Sequence, residues 1–207
     1  MSSNKAYGDL GSVRIVETAL RYEAPDYPNG FDESLPLDFH GPYGCSKGTA
    51  DQYLIDYGRM YGLRTISLRQ SSVYGPHQHP RSDQGWVAFL LNAARKCDPI
   101  RLHGIGKQVR DLLHAHDLAR LIEALGATLP AGGYATNVGG GLHNSLSILE
   151  LFAWIRETHG TEISYETGEP RPSDQLVFIS DNSRIQALTN WTPEIGLDLG
   201  LEEVWSA

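Results

Sequence analysis

The stretch Gly41-Pro42-Tyr43-Gly44-Cys45-Ser46-Lys47-Gly48-Thr49-Ala50-Asp51 decides how this chain is read. Tyr43 and Lys47 stand four residues apart, so a helix through them puts both side chains on one face. An ammonium beside a phenol favours the phenolate and draws down a pKa that is ordinarily about 10. The pair is a proton-transfer device or, on spacing alone, a tyrosine packed under a lysine stem. The helix is expected from about Pro42 to Met60 and is ended by Gly62. Ala50, Tyr53, Leu54, Tyr57 and Tyr61 recur on one side of it, a stripe whose spacing predicts buried surface.

Composition bounds the rest. The chain has 207 residues with 41% hydrophobic content, enough to bury a sizeable core as one large domain or two small ones. No apolar run approaches the roughly eighteen residues of a membrane span. The opening MSSNKAYGD is too polar for a signal peptide, so a cytoplasmic location is the default expectation. A formal charge of −8 argues against a nucleic-acid partner, which needs a basic face. Cys45 and Cys97 form neither a metal spacing nor a disulfide framework and read as free thiols. His77-Gln78-His79 lies next to Pro76 with no third ligand in register, so no metal site is expected.

Around the helix the pattern is that of an α/β chain. Residues 12–40 carry Pro25, Pro28, Asn29-Gly30 and Pro36, which breaks them into a loop or short hairpin. Thr65 to Leu68 reads as a buried strand that delivers Ser71, Ser72 and Val73 at its carboxyl end, where ligands bind in open α/β sheets. Asp83-Gln84-Gly85-Trp86 precedes a helix with Val87, Leu90, Leu91 and Ala94 on one face. Asp117 is expected to cap a helix carrying Leu118, Leu121, Ile122 and Leu125, and Tyr134 to Val138 to form a strand. Ser147 and Glu150 have the spacing of a capping box. Two short helices, Ser180 to Leu188 and Leu197 to Trp205, flank Pro193.

Three segments together carry a family likeness. Ser2-Ser3-Asn4-Lys5-Ala6-Tyr7-Gly8-Asp9, the Tyr43/Lys47 stretch and Leu68-Arg69-Gln70-Ser71-Ser72-Val73-Tyr74-Gly75-Pro76 resemble the extended short-chain dehydrogenases/reductases, the NAD-dependent sugar-nucleotide epimerases and dehydratases. Pro36-Leu37-Asp38-Phe39-His40 followed by GPYGCSKG resembles the CDP-paratose (CDP-tyvelose) 2-epimerase branch. The likeness runs from Ser2 almost to the C-terminus. It implies a Rossmann-like doubly wound α/β fold plus a small α/β substrate-binding domain. The expected division is 1–75 for the NAD-binding part with the tyrosine helix and 76–207 for the nucleotide-sugar part, with about 111–140 returning to the sheet.

The resemblance also implies roles. Ser3, Tyr43 and Lys47 match the catalytic triad, with Tyr43 and Lys47 also contacting NAD and Val73 near the nicotinamide. Ser72, Gln84 and Trp86 match positions lining the sugar-nucleotide pocket; without the family, Trp86 reads as a core anchor. Arg110, in Gly104-Ile105-Gly106-Lys107-Gln108-Val109-Arg110-Asp111, matches an arginine that grips the substrate diphosphate, the alternative being a surface ion pair with Asp111. Arg171, in Glu169-Pro170-Arg171-Pro172-Ser173-Asp174, matches a second such arginine, with Asp174 orienting the pocket and Ser173 standing where a glycine is usual. The implied reaction inverts C2 of a CDP-linked sugar through transient oxidation to a 2-keto sugar.

No GxxGxxG occurs in these 207 residues. The chain therefore resembles the C-terminal portion of such an enzyme, an N-terminally truncated form expected to be inactive alone. Its expected partners are a CDP-sugar or other nucleotide sugar and either a second copy in a homodimer or a missing N-terminal half. A nucleotide-sugar-binding module without chemistry and one subunit of a split enzyme are the alternatives.

Overall fold

In a computed structural model, residues 1–79, 81 and 84–207 are described. Along the chain come β1 (Ser2–Ser3), a 3-10 turn (Asn4–Tyr7), the hairpin β2 (Val16–Glu17) and β3 (Tyr22–Glu23), α1 (Gly41–Tyr61), β4 (Arg64–Gln70) and β5 (Ser72–Tyr74). Then follow α2 (Trp86–Lys96), β6 (Ile100–Arg101), β7 (Val109–His114), α3 (Ala115–Thr128), β8 (Gly132–Val138), β9 (Ser145–Ser147) and α4 (Ile148–His159). β10 (Tyr165–Glu166), β11 (Val177–Phe178), α5 (Ser183–Thr189) and α6 (Leu197–Ser206) complete it.

Two sheets organise these elements. In the first, β1, β4 and β8 lie parallel in that order, with β4 and β8 in register from Arg64 and Gly132 to Gln70 and Val138. In the second, β7 is central: it runs parallel to β5 and β11 and antiparallel to β9. Pairing thus crosses residue 75, because β5 joins β7, while β8 joins the first sheet. β7 is buried on both faces. Leu112 enters a core with Leu91, Leu151, Ile155 and Leu201, and Leu113 enters another with Leu68, Leu121, Val138 and Ile185.

The tyrosine helix packs differently from its hydrophobic pattern. Tyr53, Tyr57 and Tyr61 are 63%, 49% and 67% exposed, and Ala50 is exposed too. The buried side of α1 is Gly44, Gly48, Asp51, Ile55 and Gly58. Glycines allow the helix axis to approach what lies beneath: a Cβ on Gly48 would enter the Phe39 ring, and one on Gly58 would strike the backbone of Gly133. Asp51, fully buried, then meets Arg69 of β4 in a two-point ion pair at 3.0 and 2.8 Å, and Arg69 also donates to the Tyr7 hydroxyl at 2.9 Å. Burial alone would lower the Arg69 pKa, but Asp51 and Tyr7 drive it upward. The stripe is therefore an exposed aromatic face, corrected by a buried ion pair that period-counting does not register.

A second correction concerns Asp117. His114 occupies the cap position of α3, and its Nδ1 accepts from the His116 N–H at 3.3 Å. Asp117 lies inside the first turn, fully buried, where its carboxylate accepts from the backbone of Glu194 and Ile195 at 3.1 and 2.9 Å. Its charge also complements the N-terminal end of the helix dipole. α5 starts later than its pattern indicates, at Ser183 rather than Ser180, because Ser180 bridges to Phe31, whereas α6 starts at Leu197 as its pattern indicates. The capping box at Ser147 and Glu150 is formed on both sides.

Candidate active site

Ser3 ends β1 beside Gln70, the last residue of β4, so it lies at the carboxyl edge of the first sheet. The chain turns there because the Ser3 hydroxyl accepts the Lys5 N–H at 3.3 Å and donates to Asn4 Oδ1 at 2.9 Å. α1 begins against this turn: a Cβ on Gly44 would sit 3.1 Å from the Lys5 carbonyl oxygen. Ser2, on the other side of β1, donates to the Lys47 carbonyl at 3.1 Å.

Tyr43 lies in the first turn of α1 and is 58% exposed. The Lys47 ammonium is 5.7 Å from the centre of its ring and 3.5 Å from the Met1 carbonyl oxygen. The two side chains share one face, as the spacing requires. The structure does not join Ser3 to Tyr43 directly: among the described residues the Tyr43 hydroxyl has no hydrogen-bond partner.

The predicted substrate residues fall into two groups. Ser72 and Trp86 meet, the indole N–H donating to the hydroxyl at 3.2 Å, while Trp86 also packs on the core of the second sheet. Val73 is half-buried against the Leu68 and Leu113 core. Gln84 is exposed, its backbone N–H reaching the Arg81 carbonyl at 3.3 Å, apart from both groups. Asp83 of the same segment lies outside the described residues.

The second group is an ion cluster. Arg110 on β7 donates to Asp174 Oδ1 at 2.8 Å and to the Val109 carbonyl at 2.7 Å. Lys5 reaches the same Asp174 oxygen at 2.6 Å. Arg171 is three residues from Asp174 in a turn closed by a 3.2 Å backbone bond, near enough to depress the Lys5 pKa. Burial pushes the Asp174 carboxyl upward, but Arg110 and Lys5 outweigh it and hold the pKa below the usual carboxylate value. Ser173 adopts φ of 58°, the left-handed conformation in which glycine costs least.

The alternative pairing of Arg110 with Asp111 is not formed. Neighbouring strand residues point to opposite sides, and Asp111 faces the other way, fully buried, accepting from the backbone of Gly141 and Ser180 at 3.0 Å each. Burial raises its pKa against those hydrogen bonds.

The two halves of the site are sewn together by residues to which the sequence pattern assigns no role. Gln175, fully buried, accepts from Asn4 Nδ2 at 2.9 Å and donates to the carbonyls of Asn4 and Gly8 at 3.0 and 2.7 Å. Asn4 and Lys5 lie within the Ser2–Asp9 segment that carries the family likeness, and Gln175 directly follows Asp174, but no local pattern indicates that they meet. Among the described residues no three His, Cys, Asp or Glu side chains gather as a metal site, and both cysteines are exposed free thiols. No helix among them is long and apolar enough to cross a membrane.

A parallel α/β sheet with a Tyr/Lys helix at its carboxyl edge, beside a second sheet whose central strand bears Arg110, has the fold of an extended short-chain dehydrogenase/reductase. Residues 1–139 match the NAD dependent epimerase/dehydratase family, and the chain belongs to it. A CDP-paratose 2-epimerase of Salmonella typhi is 43% identical over 210 residues, covering 99% of this chain and 62% of the relative. A dTDP-glucose 4,6-dehydratase of Bacillus anthracis, solved in complex with NAD, has a TM-score of 0.77 at 26% identity, covering 98% of this chain and 58% of that one. MoeE5, solved with UDP-glucose and NAD, shares the fold with a TM-score of 0.81 at 24% identity, over 99% of this chain and 62% of its own. The chain thus spans about three fifths of the length of these relatives.

Proposed function

We propose that this chain carries the acid/base and substrate-holding part of a nucleotide-sugar epimerase acting at C2 of a CDP-linked sugar. One observation carries the reading: the Ser3 turn under the Tyr43/Lys47 helix is hydrogen-bonded through Gln175 to the loop that holds Arg110, Lys5 and Asp174. A reacting sugar and an anionic nucleotide are thereby held at a fixed separation. The 43% identity to a CDP-paratose 2-epimerase supports the choice of base and carbon.

Tyr43 takes the proton of the C2 hydroxyl and returns it, and the exposed ring leaves that oxygen open to substrate. Lys47 sets its ammonium on the same face of the helix, 5.7 Å from the centre of the Tyr43 ring. Ser3 steadies the same sugar oxygen. Arg110 and Arg171 hold the diphosphate, where a planar fork of donors matches phosphate oxygens. A firmly held nucleotide leaves the ring free to turn, which inversion requires.

The residues present fit NAD at one end: Lys47, half-buried beside Tyr43, donates to the Met1 carbonyl and among the described residues has donors left for ribose hydroxyls. Tyr43 and Val73 would flank the nicotinamide. When bound, the nicotinamide supplies the hydride acceptor. Calorimetric titration tests the assignment: the chain should bind CDP more tightly than NAD, and tight NAD binding without a CDP response overturns it.

The exposed Tyr53, Tyr57 and Tyr61, whose rings contact one another in series, are the proposed face toward a second copy of the chain. Sedimentation should show a dimer that Tyr57→Glu dissociates, and a monomeric unmutated chain refutes this face.

A further inference from the structure

Lys5 plays no part in the roles assigned above, yet its side chain spans from the chemical end of the site to the anchoring end. Its backbone belongs to the Ser3 turn, with its N–H held by the Ser3 hydroxyl and its carbonyl accepting from Gly8 at 3.2 Å. Its ammonium reaches the 173–174 loop, 2.6 Å from Asp174 Oδ1 and 3.5 Å from the Ser173 carbonyl.

A structural ion pair would not be built this way. Asp174 already has Arg110, whose side chain is 11% exposed, and Lys5 shares the same carboxylate oxygen. Adding a second cation to one oxygen costs desolvation and repulsion between like charges. Lys5 bears that cost: burial, then Arg110, lower its pKa, with Asp174 opposing and Arg171 adding to the depression. Two cationic side chains, Lys5 and Arg110, thus share one carboxylate oxygen, with Arg171 close enough to add to the positive potential at Lys5 in a protein whose net charge is −8. The cluster is complementary to a diphosphate, which carries two negative charges in a nucleotide sugar. Lys5 also keeps 30% of its side chain exposed, on a flexible stem that can follow a ligand where the planar arginine holds it.

We infer that Lys5 is a substrate-binding residue whose ammonium exchanges Asp174 for a diphosphate oxygen when a nucleotide sugar enters. This rests on the reading of the site as a nucleotide-sugar site. It places a third cation in the anchor and ties that anchor covalently to the turn bearing Ser3. Asp174 then serves as the anion that keeps Lys5 and Arg110 in place until a nucleotide sugar enters.

The test is calorimetric titration of the full chain with cytidine, CMP and CDP, comparing the unmutated protein with Lys5→Met and Lys5→Arg. Lys5→Met should weaken CDP binding by at least about ten-fold, the worth of a charged hydrogen bond, and leave cytidine binding unchanged. The loss should grow from CMP to CDP, and Lys5→Arg should recover part of it. Melting curves of each variant report whether the turn is intact. Unchanged CDP affinity in Lys5→Met overturns the inference, as does an equal loss for cytidine, which marks a distorted turn. No CDP binding by the unmutated chain refutes the reading of the whole site, and that outcome is distinct from either of the others.

Discussion

Replacing Asp51 by alanine should unfold the protein more readily than any exposed substitution on α1. Both carboxylate oxygens are engaged by Arg69, at 3.0 and 2.8 Å, and the two side chains are 0% and 6% exposed. Alanine removes the paired carboxylate and leaves the buried guanidinium, among the described residues, with the Tyr7 hydroxyl at 2.9 Å as its side-chain hydrogen-bond partner. Stranding one partner of a buried ion pair costs about 3 to 5 kcal/mol. For a chain of this size that is a drop of roughly 6 to 20 °C in melting temperature. The cause is testable with Asp51→Leu combined with Arg69→Met, which removes both charges and should recover most of the loss. The pH dependence has a definite sign. Burial raises the Asp51 pKa, but Arg69 outweighs it and holds the folded value below the ordinary one. Its contribution is therefore complete above the unfolded value of about 3.9 and is lost as the pH falls through the folded value. Thermal unfolding followed by circular dichroism between pH 7 and pH 3 measures all three. A single variant within about 1 kcal/mol of the unmutated protein, or a double variant no better than the single, refutes the argument.

Two further outcomes bear on the site. Arg110→Ala should weaken CDP binding by about 1.5 to 3 kcal/mol, with Arg110→Lys recovering only part because the planar fork is gone; unchanged affinity by calorimetry would show that Arg110 serves Asp174 alone. Tyr43→Phe should lower epimerase turnover by about 100-fold to 10,000-fold, measured with NAD and the glycine-rich half of a relative supplied in trans. Equal turnover of the two proteins would leave Tyr43 as packing.

The parts of this fold that can be read from sequence are those specified locally. The capping box of α4, the apolar face of α2 and the bounds of α1 within a residue each rest on signals a few positions apart. The buried face of α1 was not legible, because close approach is written in glycines and its one strong contact is an aspartate. Hydrophobic period assigns that face to the tyrosines, which the fold leaves in solvent. Lys5 and Asp174 are 169 positions apart, and nothing in either neighbourhood specifies the other. Asp117 misled for a related reason: an aspartate at a helix start suits a cap, and only the loop at Glu194 and Ile195, returning from far along the chain, gives its carboxylate a different task.

The same distance explains why Gln175 matters more than its chemistry suggests. A buried leucine could fill its volume, but it could not set which residue of the 173–175 loop faces which residue of the 4–8 turn. The amide does so by matching its oxygen to Asn4 Nδ2 and its two N–H groups to the carbonyls of Asn4 and Gly8. A fully satisfied buried amide adds little net stability, since water would satisfy the same groups in the unfolded chain. A one-residue slip would leave those groups unpaired and buried, at about 1 to 3 kcal/mol each. Register between the lobes is thus enforced by the penalty for error more than by the strength of the bonds. That register fixes where Ser3 and the start of the Tyr43 helix stand relative to Arg110, Lys5 and Asp174, the two ends of the proposed site. Under the proposed epimerase reading that separation has to stay fixed, because the sugar ring must come back to the same tyrosine by its other face.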